Sequence, residues 1–327
     1  MNALVTGAGG FLGLSITRQL VARGDSVRSL ARNAYPVLEA LGVDQIRGDL
    51  SDPAAVARAV GGVDVVFHVA ARAGVWGPYV EFDRVNHVGT RHVVDACRAS
   101  GVGRLVYTSS PSVVFGGHDL ENADESTPYP DRYDAPYPAT KALAERLVLA
   151  ANGPNFATVA LRPHLIWGPG DNHLVPRIIA RGRAGKLRRI GHAPKLVDST
   201  YVDNAADAHL LAADRLAPGS PPAGRAYFIA QGEPVPVWDL VDRILAAAGL
   251  PPVRKTVSPR TAYAAGAILE AGYRLFGMKA EPPMTRFLAG QLSHAHWFDL
   301  SAARRDLGYN PRISLDEGLS RLAASLA

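Results

Sequence analysis

Tyr137 and Lys141 are the residues of this chain best placed for acid–base chemistry. They stand four positions apart at the start of a stretch with helical character, so both side chains project from one face of a helix. A free phenol titrates near pH ~10 and is a poor proton donor at neutrality. A neighbouring ammonium stabilises the phenolate, so we expect Lys141 to lower the pKa of Tyr137. An exposed surface pair with no catalytic role is the alternative.

A glycine-rich loop near the start of the chain has the features of a phosphate-binding turn. It follows a short apolar segment and precedes a helical pattern over residues 14–21, with spacing GxxGxxG rather than GxGxxG. Amides at a helix N-terminus bind the negative charge of a dinucleotide pyrophosphate, and glycine lets the backbone approach closely. A tight turn without a ligand is the alternative, but the order strand, loop, helix favours nucleotide binding. The predicted cofactor residues here are Gly7, Gly10, Phe11, Leu12 and Gly13.

The end of the second predicted strand indicates which nicotinamide cofactor is preferred. NAD-binding proteins usually place an acid there against the ribose hydroxyls, whereas arginine suits the 2′-phosphate of NADP. Here Ala31 replaces the acid and Arg32 follows it, which predicts NADP(H) over NAD(H) unless Arg32 is only a solvated charge. Asp49 and Leu50, after the third predicted strand, are candidates for the adenine contact. Asp49 could instead cap a helix beginning near Pro53.

A hydroxyl at the end of a parallel strand would reach a substrate carbonyl, because ligands lie beyond the carboxyl ends of such strands. The segment 107–110 ends in two serines. We take Ser110 as the first choice for this role and Ser109 as the second. Either serine could instead satisfy local backbone amides.

The elements that must position these residues alternate between strand and helix. Short apolar segments separated by helical ones predict an α/β fold with a parallel sheet covered by crossover helices. We expect residues 1–163 and about 196–231 to form the cofactor-binding domain, and residues 164–195 and 232–327 to form a substrate-binding region. The predicted strands are residues 3–5, 26–30, 45–47, 63–68, 105–108, 158–161 and 226–229.

Composition narrows the class of protein. The chain has 327 residues and a net charge of +5, from 35 basic and 30 acidic residues, which suits anionic ligands without demanding nucleic acid. The single cysteine, Cys97, excludes an internal disulfide and is expected in a helix core. The apolar stretch 261–278 contains Glu270 and Arg274, so we expect an amphipathic helix and not a membrane span. A cytoplasmic protein without a metal site is expected.

Several segments resemble signatures of the extended short-chain dehydrogenase/reductases. They are HVAA at 68–71, NHVGT at 86–90, LRP at 161–163 and YVDN at 201–204, and the resemblance covers essentially the whole chain. It implies a Rossmann doubly wound sheet with a smaller α/β C-terminal substrate domain, and commonly a homodimer. The resemblance also implies Tyr137 as proton donor, Lys141 on the nicotinamide ribose, Ser110 on the substrate oxygen and Asn86 in ordering the site. Ala70, Ala71 and Pro163 are further implied cofactor residues.

Within that superfamily the chain is similar to the 3β-hydroxysteroid dehydrogenase/isomerase branch at 107–113, 135–141 and 201–209. It also resembles the 2-alkyl-3-oxoalkanoate reductases of bacterial long-chain olefin biosynthesis at 165–171, 174–177, 281–288, 296–297 and 303–309. This likeness implies NADPH-dependent reduction of a lipid-like keto acid and association with other enzymes of that pathway.

A long-chain keto acid requires an apolar pocket and a cation for its carboxylate. We expect Trp76, Val113, Trp167 and the 261–278 helix to line the pocket, although tryptophans in such places are more often core. His164, Arg177 and Lys195 are candidates for the cation. The basic run Arg181, Arg183, Lys186, Arg188 and Arg189 is expected to be a solvated helix face.

Three other functions fit part of the pattern. A steroid or sterol 3β-dehydrogenase would share the catalytic residues but would usually favour NAD, against which Ala31 and Arg32 argue. A sugar-nucleotide epimerase fits the apolar C-terminal helix less well than a lipid enzyme does. A redox-sensing regulator that binds NADP without turnover typically lacks the Tyr/Lys pair.

Overall fold

A computed structural model describes all residues, 1–327, and contains fifteen β-strands and twelve α-helices. The strands are β1 (Asn2–Thr6), β2 (Ser26–Ala31), β3 (Asp44–Arg47), β4 (Val65–His68), β5 (Arg104–Thr108), β6 (Leu120–Ala123), β7 (Ala157–Pro163), β8 (Ile166–Trp167), β9 (Arg189–Ile190), β10 (Leu196–Val197), β11 (Thr200–Tyr201), β12 (Arg225–Ile229), β13 (Val235–Pro236), β14 (Thr256–Val257) and β15 (His296–Phe298).

The α-helices are α1 (Phe11–Ala22), α2 (Pro36–Ala40), α3 (Pro53–Val60), α4 (Tyr79–Phe82), α5 (Gly89–Ala99), α6 (Pro136–Ala150), α7 (Leu174–Arg183), α8 (Val202–Arg215), α9 (Val237–Ala247), α10 (Pro259–Leu275), α11 (Arg286–Ser293) and α12 (Leu315–Leu326). Two short π-helical segments, Asp83–Val88 and Ala303–Leu307, and a 3₁₀ segment, Pro111–Val114, complete the secondary structure.

Seven parallel strands form the central sheet, in the order β12-β7-β5-β4-β1-β2-β3. The strands β4 and β7 are buried along their whole length, as expected where helices cover both faces of a parallel sheet. The order reverses between β1 and β4, and this switch point is where ligands of doubly wound sheets bind. The predicted Rossmann α/β fold is confirmed, and so are all seven predicted strands of the sheet.

Backbone register brings the carboxyl ends of the central strands to one edge. Thr6 at the end of β1 is level with His68 at the end of β4. His68 is in turn level with Tyr107 of β5, and Thr108 is level with Leu161 of β7. The segments that follow these strands therefore converge on one side of the sheet, the side predicted to hold the ligand.

The C-terminal half returns to this sheet and also builds a smaller one. The strand β12 forms the sheet edge, as expected for the segment 196–231, and α8 packs on α1, where Ser15 Oγ donates to Asp203 Oδ1 at 2.8 Å. The second sheet has the order β13-β10-β15-β6. Its strand β6 comes from the segment assigned to the cofactor-binding domain, so the two halves share elements. The exact domain boundaries stay a prediction.

Two local expectations need correction. The cap of α3 is Asp52, whose side chain accepts a hydrogen bond from the Ala54 amide, and not Asp49, which accepts from Ser51. The basic run is not one helix face, because α7 ends at Arg183 and Arg189 lies in β9, paired with Asp242.

Cys97 and the 261–278 helix behave as predicted. Cys97 is buried in α5, and burial raises the pKa of its thiol to about 12. The helix α10 spans Pro259–Leu275, with a proline at its first turn and the Ser258 hydroxyl accepting from the Thr261 amide. None of the helices has both the length and the apolar character needed to cross a membrane.

Candidate active site

A cleft of about 550 Å³ opens at the carboxyl edge of the central sheet. All the cofactor and catalytic residues predicted from sequence line it except Asn86. They are Gly7, Gly10, Phe11, Leu12, Gly13, Arg32, Asp49, Leu50, Ala70, Ala71, Ser110, Tyr137, Lys141 and Pro163. The fold therefore brings distant segments into one site, and the individual roles of the residues stay predictions.

The glycine loop forms a cradle that side chains would fill. Gly7 has φ +73°, a left-handed conformation that favours glycine, and a Cβ at Gly13 would lie 2.1 Å from the Gly7 carbonyl oxygen. The helix α1 begins at Gly10 without any side-chain cap, so its first amides have no side-chain partner. This arrangement fits a pyrophosphate group, because amides and dipole both favour an anion there.

Lys141 lies on α6 one turn after Tyr137, and its side chain is only 2% exposed. Its Nζ donates to the carbonyl oxygen of Thr108 at 2.5 Å and lies 4.2 Å from the centre of the Tyr107 ring. Burial lowers the pKa of Lys141 to about 7, although the charge of Glu145 acts in the opposite direction. The protonation of this lysine is therefore sensitive near neutral pH.

Tyr137 departs from the expectation drawn from sequence. Burial raises the pKa of the Tyr137 phenol, and a hydrogen bond with the Ser110 hydroxyl only partly opposes this. The prediction that Lys141 lowers this pKa is wrong, because desolvation dominates and the ammonium is directed to Thr108. The phenol is thus protonated at neutrality, which is the form that donates a proton.

The two serines after β5 have different surroundings. The Ser110 hydroxyl lies 2.9 Å from the hydroxyl of Ser112 and accepts from the Ser112 amide. Ser109 is 3% exposed, and its buried hydroxyl has no hydrogen-bond partner. Both line the cleft, and the contact with Tyr137 supports the preference for Ser110.

A buried ion pair adjoins the catalytic helix and was not predicted. Glu145, one turn after Lys141, lies 2.6 Å from the Arg162 guanidinium, with side-chain exposures of 0% and 3%. Tyr129 donates to the same carboxylate at 2.5 Å. Burial alone would raise the pKa of Glu145, but the hydrogen bonds and charge of Arg162 outweigh it and hold the pKa below its ordinary value. The carboxylate therefore remains charged inside the protein.

Asn86 and His68 order the backbone around the cleft. Asn86 is 1% exposed; its Oδ1 accepts from the Arg72 amide at 2.7 Å and its Nδ2 donates to Thr140 on α6. The ring of His68 is hydrogen-bonded to Thr6 and Thr90. Burial, and secondarily the charge of Lys141, lowers the pKa of His68 to about 3, so this ring is neutral.

The part of the cleft that contains Arg32 and Arg84 is cationic. Arg32 is exposed there beside Asp49, and Arg84, which was not predicted, also lines the cleft. The two guanidinium groups both lower the pKa of Asp49, after a larger effect from the Ser51 amide. Only the basic character of Arg84 could have indicated it from sequence, because the π-helical segment that places it was not anticipated.

The prediction of the substrate residues is wrong for this cleft, because none of them, nor any residue of 261–278, lines it. Trp167 and Val113 are fully buried, and the Trp167 indole donates to Ser199. His164 is bonded to the Asp198 carbonyl, and burial keeps its pKa well below the usual value, so it cannot serve as the cation.

The remaining cation candidates are paired elsewhere. Arg177 forms an ion pair with Glu281, and Lys195 pairs with Asp119. Trp76 is half-buried outside the cleft, near Tyr273 of α10. Besides Arg84, polar residues that line the cleft and were not predicted include Arg72, Asp171, Asn172 and His173.

Comparison with known proteins agrees with this geometry. Residues 4–260 match the model of the 3-beta hydroxysteroid dehydrogenase/isomerase family. The chain is 55% identical to the 2-alkyl-3-oxoalkanoate reductase of Stenotrophomonas maltophilia over 330 residues, covering 100% of both chains. It is 51% identical to the 2-alkyl-3-oxoalkanoate reductase of Shewanella oneidensis, covering 99% of this chain and 86% of that one.

A solved structure supports the fold. The UDP-glucose 4-epimerase of Thermus thermophilus in complex with NAD superposes with a TM-score of 0.75 at 25% identity, covering 100% of this chain and 98% of the epimerase. The sheet order, the cleft and the full-length identities lead to one conclusion. The chain belongs to the 3-beta hydroxysteroid dehydrogenase/isomerase family of extended short-chain dehydrogenase/reductases and is an oxidoreductase.

Proposed function

We propose that this protein uses NADPH to reduce the 3-keto group of a long-chain 2-alkyl-3-oxoalkanoate, giving the 2-alkyl-3-hydroxyalkanoate of olefin and β-lactone biosynthesis. The observation that carries the proposal is the 55% identity, along the whole chain, to a reductase named for this substrate. In support, Tyr137, Lys141 and Ser110 line the same cleft as the glycine loop.

Residues of the protein supply the proton, orient the substrate and hold the cofactor. When bound, the cofactor supplies a hydride to carbon 3. Tyr137 gives its proton to the carbonyl oxygen, and its raised pKa keeps that proton available at neutrality. Ser110 donates a hydrogen bond that orients the same oxygen. Lys141 binds the nicotinamide ribose, and the Thr108 carbonyl fixes the direction of its side chain.

The preference for NADP(H) rests on the cationic end of the cleft. Arg32 is exposed, so its guanidinium is available to a 2′-phosphate. Arg84 lines the same cleft and adds a second positive charge. No acid stands at position 31, where a carboxylate would repel that phosphate.

We assign recognition of the substrate carboxylate to Arg72. It lies in the cleft two residues after Ala70, its guanidinium stacks on Phe82 at 4.9 Å, and its buried Nε has no hydrogen-bond partner. The pair that it forms with Glu81 is half-exposed and therefore weak. In an Arg72→Gln variant we expect KM to rise for the keto acid but not for its methyl ester.

The test follows the absorbance of reduced nicotinamide with purified protein. One reaction contains NADPH and a long-chain 2-alkyl-3-keto acid, and a parallel one contains NAD and a 3β-hydroxysteroid. Loss of NADPH only with the keto acid supports the proposal. Steroid-dependent formation of NADH, or no turnover in either reaction, contradicts it. A homodimer, association with other enzymes of the pathway and a cytoplasmic location stay predictions.

A further inference from the structure

Helix α10 and the residues directly after it expose an unusual number of apolar side chains. Ile268, Leu275 and Phe276 are 72%, 81% and 77% exposed, and Tyr263 and Met278 are 45% and 44% exposed. These five belong to the nine large apolar residues that the whole chain exposes, so the exposure is concentrated here. An apolar group of this kind marks an interaction site. We call these five residues the α10 surface.

The exposed charged residues of the segment 251–280, which contains the α10 surface, are all basic. Residues 251–280 contain a single acid, Glu270, which is 2% exposed and forms ion pairs with Arg274 and Arg286. The cations of this segment are all exposed: Arg254, Lys255, Arg260, Arg274 and Lys279. The exposed charged residues within 251–280 are therefore all basic, and Glu281, the next residue, is paired with Arg177.

The α10 surface adjoins the rim of the active-site cleft. The Trp76 indole donates to the carbonyl oxygen of Met278 at 3.3 Å, and its ring packs edge-on against Tyr273 with centroids 6.1 Å apart. Trp76 in turn follows Arg72 and Ala73, which line the cleft. A molecule held at α10 is thus next to the segment that borders the catalytic residues.

We propose that the α10 surface docks on the anionic face of a lipid bilayer, with α10 lying in the interface. A helix with exposed aliphatic and aromatic residues flanked by Lys and Arg is suited to this position, because its apolar side chains enter the acyl boundary while its cations meet lipid phosphates. A protein surface of mixed charge would offer these cations fewer anionic partners than a face of lipid phosphates does. If the proposed function holds, on which this consequence rests, the bilayer is where a long-chain keto acid reaches the cleft.

Vesicle co-sedimentation tests the docking. The full-length protein is mixed with vesicles of phosphatidylcholine alone, or of phosphatidylcholine with phosphatidylglycerol. The variants are a Leu275→Ser/Phe276→Ser pair, which removes apolar contact, and an Arg260→Glu/Lys279→Glu pair, which reverses charge. Matched controls alter exposed residues elsewhere: Leu326→Ser, at a side chain 43% exposed, and Arg18→Glu/Lys186→Glu. The solution mass of each variant is measured without lipid.

We expect binding only to the anionic vesicles, weakened by salt and reduced roughly tenfold or more in both α10 variants, while the controls bind like the wild type. Absence of binding, or equal binding by the α10 variants and their controls, would overturn the proposal. A dimer that dissociates in the α10 variants, without vesicle binding by the wild type, would make the surface a self-contact and also overturn it. The assay requires neither cofactor nor keto acid, so its failure is distinguishable from failure of the proposed reduction.

Discussion

The ammonium of Lys141 is hydrogen-bonded to the carbonyl oxygen of Thr108, the last residue of β5, at 2.5 Å. Helix α6 and the central sheet are thereby joined at the cleft that Tyr137, Lys141 and Ser110 line. No carboxylate contacts this ammonium, and burial brings the pKa of Lys141 down to about 7. Its charge therefore depends on pH near neutrality.

We predict that NADPH binds more weakly as pH rises above about 7. In the proposed function the protonated ammonium donates to ribose hydroxyls. Above its pKa the free protein carries a neutral amine, so binding would require the uptake of a proton. Fluorescence titration of NADPH between about pH 6 and pH 9 measures the slope of the dissociation constant against pH. Lys141→Met is the control and should bind more weakly, without that slope. Parallel pH profiles for the two proteins would contradict the prediction.

Tyr137→Phe should abolish most turnover and leave NADPH binding nearly intact. The variant keeps the ring and removes only the hydroxyl, which is proposed to protonate the substrate. We expect kcat to fall about 100-fold or more, as is usual when a general acid is lost. Stopped-flow absorbance gives kcat, and a fluorescence titration gives the dissociation constant. Retained activity would mean that another group supplies the proton.

Arg32→Asp should shift preference from NADPH towards NADH. The change removes the proposed partner of the 2′-phosphate and adds a charge that would repel that phosphate. The ratio of kcat/KM with the two cofactors should fall at least about tenfold. Arg18→Asp makes the same charge change at an exposed site of α1 outside the cleft and should leave the ratio unaltered. An equal effect of both substitutions would make Arg32 a bystander.

The sheet was predictable from sequence because its strands are short apolar runs separated by helical patterns, and the glycine loop was predictable because close approach to phosphate excludes side chains. Contacts between distant segments were not predictable from sequence. Glu145 and Arg162 meet across α6 and β7, and no local pattern identifies one as the partner of the other. The same limit explains why the prediction for Trp167 and Val113 failed. Their positions in the sequence suggested contact with a ligand, but packing buries both side chains completely.

The pKa of Tyr137 shows a further limit. Spacing on a helix correctly placed Lys141 on the same face as the phenol. The direction of the pKa shift depended on burial and on the Thr108 carbonyl, which competes for the ammonium. A motif of five residues determines neither how deeply a side chain is buried nor which acceptor its hydrogen bond reaches.

Glu145→Gln should destabilise the protein strongly, because it leaves the Arg162 guanidinium buried without a countercharge. Breaking a buried ion pair from one side costs about 3–5 kcal/mol in the free energy of unfolding. Replacing both partners, in Glu145→Gln/Arg162→Met, should recover much of that loss, since no unpaired charge remains. Urea unfolding gives the free energy of unfolding of the wild type, the single variant and the double variant. Glu39→Gln, at an exposed position of α2, is the matched control. A loss below about 1 kcal/mol in the single variant would show that water or another group compensates Arg162, and that the pair contributes little to the stability of the catalytic helix.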